Sequence, residues 1–148
     1  MRLVVQRVKA AAVKAGEGTA GAIESGLLVL VAVSHADTPA DAAFLAKKTV
    51  NLRIFDDADG KMNLSVLETA GAILAVSQFT LYGDCRKGNR PSYIEAAVPE
   101  KGRELYEEYI AQLRRYGLPV ATGIFQAEME VSLINDGPVT LILESTGK

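Results

Sequence analysis

Two short polar motifs set against apolar strands are where this chain could do chemistry. Ser77-Gln78-Phe79-Thr80 follows Ile73-Leu74-Ala75-Val76, and Asn135-Asp136-Gly137-Pro138 separates Val131-Ser132-Leu133-Ile134 from Val139-Thr140-Leu141-Ile142-Leu143. The first brings a buried strand out of the core with backbone N–H groups and Ser, Gln and Thr side chains free to meet a ligand, which can serve as an oxyanion hole. It is equally compatible with a polar strand end making ordinary turn hydrogen bonds. The second motif carries Asp-Gly, a hairpin signal, followed by a proline that removes a ladder donor and biases Gly137 away from the helical region. By itself it reads as a tight turn. An X-Pro bond is cis in only ~5% of folded cases, so these residues alone do not call for one.

Conventional catalytic equipment is scarce, with one histidine and one cysteine. A Ser-His-acid hydrolase needs an imidazole to take the nucleophile's proton. His35 is the only one, and Ser34-His35-Ala36-Asp37 reads as a loop before a helix cap. Cys85 lacks a partner histidine nearby, although Arg86 beside it could lower its pKa. Zinc sites use several His or Cys ligands, and no metal or other cofactor is expected here. Arg86-Lys87-Gly88-Asn89-Arg90 places three cations in five residues, either a solvated loop or a local phosphate contact.

The elements that must position these motifs follow from apolar patterning. Leu3–Val8 and Leu27–Val33 read as strands, the second continuous enough to be buried on both faces. Ala11–Ile23 alternates small and polar residues around Gly16, Gly18 and Gly21, which suggests a hairpin or meander. Thr38-Pro39-Ala40-Asp41 supplies a cap, a proline at the first helical position and an early acid, predicting a helix over 39–50. Leu52-Arg53-Ile54-Phe55 reads as a short strand ending in the acidic turn 56–60. That run is not an EF-hand loop, because Phe55 stands where the first ligand would be. A second helix is predicted over 99–116, from Pro99 and Glu100 to Arg114-Arg115 and Gly117, with Leu105, Tyr106, Tyr109, Ile110, Leu113 and Tyr116 on its apolar face. Val120-Ala121-Thr122 and the pair flanking 135–138 complete the strands.

The whole predicts one compact α/β domain over 1–148, with mixed or antiparallel sheets, barrel-like or layered, flanked by two helices. Its alternation is too irregular for a doubly wound dinucleotide fold. At 148 residues the chain can bury roughly two-thirds of its unfolded surface. Hydrophobic residues make up 49% and charged residues 23%, and no apolar run approaches the ~20 residues of a membrane span. With no secretory signal pattern and a lone cysteine, a reducing cytoplasmic setting without a membrane partner is expected. A net charge of −2 argues against a protein that coats DNA or RNA through a broad basic face.

At this point the residues closely resemble the bacterial D-aminoacyl-tRNA deacylases, over essentially the whole chain. The resemblance is carried by Ser77-Gln78-Phe79-Thr80-Leu81 and Asn135-Asp136-Gly137-Pro138-Val139-Thr140, with Gln6-Arg7-Val8, Arg53-Ile54-Phe55, Gly60-Lys61-Met62-Asn63-Leu64, Arg90-Pro91-Ser92-Tyr93 and Met129-Glu130-Val131-Ser132-Leu133 in the same order. It implies a homodimer, with no DNA partner, that hydrolyses the ester between a D-amino acid and the 3′ end of tRNA and clears glycine mischarged on tRNA-Ala. It further implies that Gly137-Pro138 is cis and enters the partner's pocket, where its carbonyls meet the substrate's α-amino group and exclude L side chains. Ser77, Gln78 and Phe79 would then line the aminoacyl pocket, with the Phe79 N–H near the ester carbonyl. Thr80 matches the family's proposed nucleophile. The family's alternative is activation of water by the substrate's own 2′-hydroxyl. Met129 matches a residue beside the substrate, Arg7 one that supports the inserted loop, and Asn135 belongs to that loop's motif. Arg86, Lys87 and Arg90 become candidates for phosphate contact. Two other readings stay open: a general small-ester hydrolase using Thr80, and a dimeric RNA-binding module without catalysis.

Overall fold

The long first strand organises the molecule, and its alternation explains why. In β1 (Arg2–Ala15), Leu3, Val5, Val8, Ala11 and Val13 are buried while intervening residues are less so. The period of two holds within each half and is interrupted at Val8, with Leu3 and Val5 in one core and Val8, Ala11 and Val13 in another. The computed structural model describes residues 1–145. After a turn at Gly16 (φ +68°), β2 (Gly18–Ile23) returns antiparallel to the second half of β1, and β3 (Gly26–Ala32) pairs antiparallel with its first half. Strand β1 therefore runs on past Val8, where the glycine-rich pattern suggested a separate element. The expected hairpin is its second half with β2.

Helix α1 (Pro39–Asn51) begins where the cap predicted, the Thr38 N–H donating to Asp41 Oδ2 at 2.8 Å. The strand expected over 52–55 is displaced: only Phe55–Asp56 is β4, paired with β5 (Met62–Leu64). Side chains hold the preceding residues instead. Arg53 Nε donates to the Asn63 carbonyl at 3.0 Å, and the Ile54 carbonyl accepts from Arg7. In the turn, Asp57 Oδ1 accepts the N–H groups of Asp59 and Lys61, and these bonds hold its pKa below the usual carboxylate value.

Strand β6 (Ala72–Ser77) lies parallel to β3, and β7 (Val120–Thr122) parallel to β6. Helix α2 (Pro99–Arg114) joins them, its Tyr106 hydroxyl donating to the Ala75 carbonyl at 2.7 Å. Tyr106, Tyr109, Ile110 and Leu113 are buried as expected, whereas Tyr116 lies beyond the helix and is 40% exposed. Between the helices, the Thr49 and Tyr109 hydroxyls bond at 2.9 Å. The sheet runs β2-β1-β3-β6-β7, and a side chain at Gly21 of β2 would meet the Thr122 carbonyl of β7 at 2.5 Å. This close approach brings the two ends together into a nearly closed barrel. Two cores result. Leu27, Val29 and Val31 face the helices while Leu28 faces the barrel with Val8, Val13, Leu74 and Val76, so β3 is buried on both sides as its continuous apolar run predicted.

The second motif departs most from expectation. No hairpin forms around Asn135–Pro138: β8 (Met129–Glu144) is one strand, and both halves pair with β1. Gln6 faces Thr140 and Val8 faces Asn135, so Arg7 alone stands opposite the four residues 136–139. The chain bulges there, which accommodates a proline that cannot donate to a ladder. The Gly137-Pro138 peptide is cis.

Candidate functional site

A cavity of about 590 Å³ opens where the parallel strands β3, β6 and β7 end. Side chains leave the sheet there without a following ladder to satisfy them, which is why such strand ends are the usual ligand sites of parallel sheets. Val31, Val33 and Val76 form its apolar floor, and Met129 and Val131 of β8 close one side. Ser77, Gln78 and Phe79 form the polar edge. Their placement follows from a change of backbone: Gln78 N–H still donates to the Val31 carbonyl at 2.7 Å, and the chain then tightens into a 3-10 turn, Phe79–Tyr82. Ser77 thus lies inside β6, where the motif had suggested a strand already ended. The first N–H groups of such a turn have no internal acceptor. Among the described residues, none accepts from Phe79 or Thr80.

Residues 83–98 fold back over this turn. Asp84 and Ser92 exchange backbone hydrogen bonds, Ala97 N–H donates to the Val33 carbonyl at 2.9 Å, and Tyr93 stands edge-on to Phe79 with ring centres 5.3 Å apart. Tyr93, Ala96 and Ala97 therefore form a wall of the cavity. Phe125, Gln126 and Ala127 after β7, with Pro99 and Gly102 of α2, complete the lining. Its residues include no histidine, cysteine or carboxylate. What the pocket offers chemically is the hydroxyls of Ser77 and Tyr93, two carboxamides, peptide N–H groups and apolar walls. These can bind and polarise a carbonyl but cannot take a proton from a nucleophile.

The other expected residues lie outside this lining. Thr80 is exposed and absent from the lining, and its hydroxyl accepts from Gln78 Nε2 at 2.5 Å. The bulge at 136–139 is held from both sides. Arg7 Nε donates to the Asp136 carbonyl at 3.2 Å, while Asn135 Nδ2 donates to the carbonyls of Arg7 (2.9 Å) and Val139 (3.2 Å). Gly137 and Pro138 are exposed and do not line this chain's own pocket. Arg86 is tied to Asp84 by Nε at 2.9 Å and Nη2 at 2.8 Å, which pulls the Asp84 carboxyl down to about 2. Lys87 and Arg90 are exposed on the same hairpin. His35 Nε2 bonds the Ile94 carbonyl at 2.6 Å, helping to hold residues 83–98, and is not a lining residue.

Sequence reasoning missed Phe125, Gln126, Gly102 and the site role of Tyr93. Only Tyr93 left a signal, in Arg90-Pro91-Ser92-Tyr93. Gly123 is also informative, because a Cβ there would meet Met129 Sδ at 2.6 Å and force this lining side chain to shift.

Solved structures share this architecture. One described as c-Myc DNA Unwinding Element Binding Protein superposes with a TM-score of 0.90 at 40% identity, over 97% of this chain and 98% of that one. Another, a probable eukaryotic D-amino acid tRNA deacylase, reaches 0.83 at 17% identity over the same shares and speaks for the fold alone. The class is thus a mixed α/β, nearly closed barrel with two helices. The chain belongs to the D-Tyr-tRNA(Tyr) deacylase family, whose pattern matches residues 4–144. Curated relatives named D-aminoacyl-tRNA deacylase include one from Thermus aquaticus, 55% identical over all of this chain and 97% of its own length. One from Thermosipho africanus is 58% identical over 98% of this chain and 97% of its own.

Proposed function

We propose that this protein is a D-aminoacyl-tRNA deacylase, an esterase that releases the amino acid from the 3′-terminal adenosine of D-aminoacyl-tRNA. The observation that carries this reading is the 55% identity, over the entire chain, to a relative so named. The pocket supports it. In the reaction a water oxygen bonds to the ester carbonyl carbon, and the carbonyl oxygen takes up negative charge. The bond to the ribose 3′-oxygen then breaks, and that oxygen leaves as a hydroxyl after receiving the proton given up by water. Free N–H groups at Phe79 and Thr80 suit the transient oxyanion. With no base among the lining residues, the substrate's 2′-hydroxyl is the group best placed to orient and relay the water's proton. Thr80, engaged by Gln78, acts in positioning rather than as a nucleophile.

Chiral choice is assigned to Gly137 and Pro138 of a second copy. Their exposure, and the exposed apolar side chains Ile134, Leu141 and Ile142 on the same strand, favour a homodimer through this region. Carbonyls presented to the α-amino group would leave no room for an L side chain, while D-amino acids and glycine, including glycine on tRNA-Ala, fit. An aminoacyl-tRNA substrate supports a cytoplasmic setting. No helix among the described residues is long and apolar enough to cross a membrane.

Incubation with matched D- and L-aminoacyl-tRNA tests the reading: hydrolysis of the D form alone is expected, and equal rates or inertness toward both would overturn it. Thr80→Ala should reduce turnover without abolishing it. The DNA-binding description of the 40% identical neighbour supplies a control, and retention of duplex DNA without deacylation would favour a binding protein.

A further inference from the structure

We infer that Arg103 binds the phosphate on the 5′ side of the substrate's terminal adenosine, an inference that rests on the proposed deacylase reading. Arg103 is exposed on α2, next to Gly102 of the cavity lining. Its guanidinium carbon stands 4.8 Å from the centre of the Phe125 ring, another lining group. The cation is therefore held at the cavity rim by a stack on one of its own walls. This cation–π contact holds the guanidinium in place, and no acceptor among the described residues engages its N–H donors, which are left to grip a phosphate through two parallel bonds.

Two of the other cations near the cavity are engaged, whereas Lys87 and Arg90 are exposed on the 83–98 segment and are not lining residues. Arg86 is bound bidentately by Asp84, and Lys101 Nζ donates to the His35 carbonyl. Among the described residues, no carboxylate forms an ion pair with Arg103. The chemistry of the substrate supplies the complement. Its scissile ester is on the ribose of the last nucleotide, so the phosphate on that ribose's 5′ carbon is the fixed negative charge nearest to the reacting carbon. Every tRNA carries it, and binding there would be independent of sequence. On a chain of net charge −2, one placed cation does what a broad basic face does elsewhere.

The test compares wild type and Arg103→Gln on two esters of the same D-amino acid: the full aminoacyl-tRNA and the 3′-ester of adenosine, which lacks the phosphate. For the variant on tRNA, kcat/KM should fall about tenfold at low salt, mainly through KM. The slope of log kcat/KM against log salt should become shallower by about 0.7, one single-strand phosphate contact. Rates on the adenosine ester should not change, and Arg103→Lys should recover part of the loss. Equal losses on both esters would make Arg103 a support for Phe125, and an unchanged rate and salt slope on tRNA would leave it no role; either overturns the inference. A wild type inert toward both esters would instead overturn the deacylase reading, and the inference with it.

Discussion

Replacing Arg7 by Met would show what holds the Gly137-Pro138 bulge. The Arg7 side chain is only 8% exposed, and Met would preserve its apolar stem contacts while deleting every donor. Nη1 donates to the Ile54 carbonyl at 2.7 Å, and Nε to the Asp136 carbonyl at 3.2 Å, with Asp136 Oδ2 also at 3.2 Å. Asp56 Oδ1 lies at 3.6 Å but is 57% exposed and adds little. A charged donor to a buried carbonyl contributes about 1.5–3 kcal/mol, and the Asp136 pair, 39% exposed at the carboxylate, at most about 1 kcal/mol. The expected loss is about 3 kcal/mol, which for a chain of this size lowers Tm by roughly 6–12 °C. Urea denaturation should show a lower midpoint at unchanged slope, which separates lost stability from a changed unfolded state. Assayed well below its melt, the variant should also lose deacylation, because the bulge would no longer be fixed. Arg7→Lys should rescue little, since an ammonium cannot span Ile54 and Asp136 as a fork does. A midpoint equal to wild type would refute the energetic reasoning. Normal activity and chiral discrimination in a clearly destabilised variant would refute the functional half.

Two further outcomes probe the frame around the site. Gly21→Ala should cost roughly 1–3 kcal/mol in a thermal melt, because its Cβ would lie 2.5 Å from a backbone oxygen of β7, whereas Gly18→Ala, with open space around it, should cost less; equal effects would mean the barrel seam yields easily. Burial pushes the hydroxyls of Tyr82 and Tyr106 up to about 12, and that of Tyr109 up in the same direction. A raised folded-state pKa means that stability is fully present below the unfolded value of about 10 and is lost as pH rises through about 12. Ultraviolet titration paired with urea midpoints between pH 9 and 12 would read this, and buried tyrosines ionising near pH 10 in an intact fold would contradict it.

Local signals located most elements because they depend on neighbours along the chain. Proline, cap and acid set the start of α1, and the apolar periodicity of α2 named the residues it buries. Failures came where a distant partner decided the conformation. The strand expected over 52–55 gave way to side-chain bonds from Arg7 and Arg53, and Asn135–Pro138 became a bulge because β1 is long enough to pair with both of its flanks. No local pattern in β8 carries the length of β1.

The composition by itself determined the kind of chemistry. One histidine and one cysteine pointed to backbone groups and small polar side chains, and the family resemblance was legible in motifs spread over the whole chain. Only the tertiary structure decided which residues share a cavity. It joined Ser77, Gln78 and Phe79 to Met129 and Phe125, left Thr80 outside the lining, and set Arg103 at the rim with its stack on Phe125. The reason is physical: a pocket at the ends of parallel strands is assembled from segments far apart in the chain, through sheet register and close backbone approach, and neither is written in the residues of any one segment.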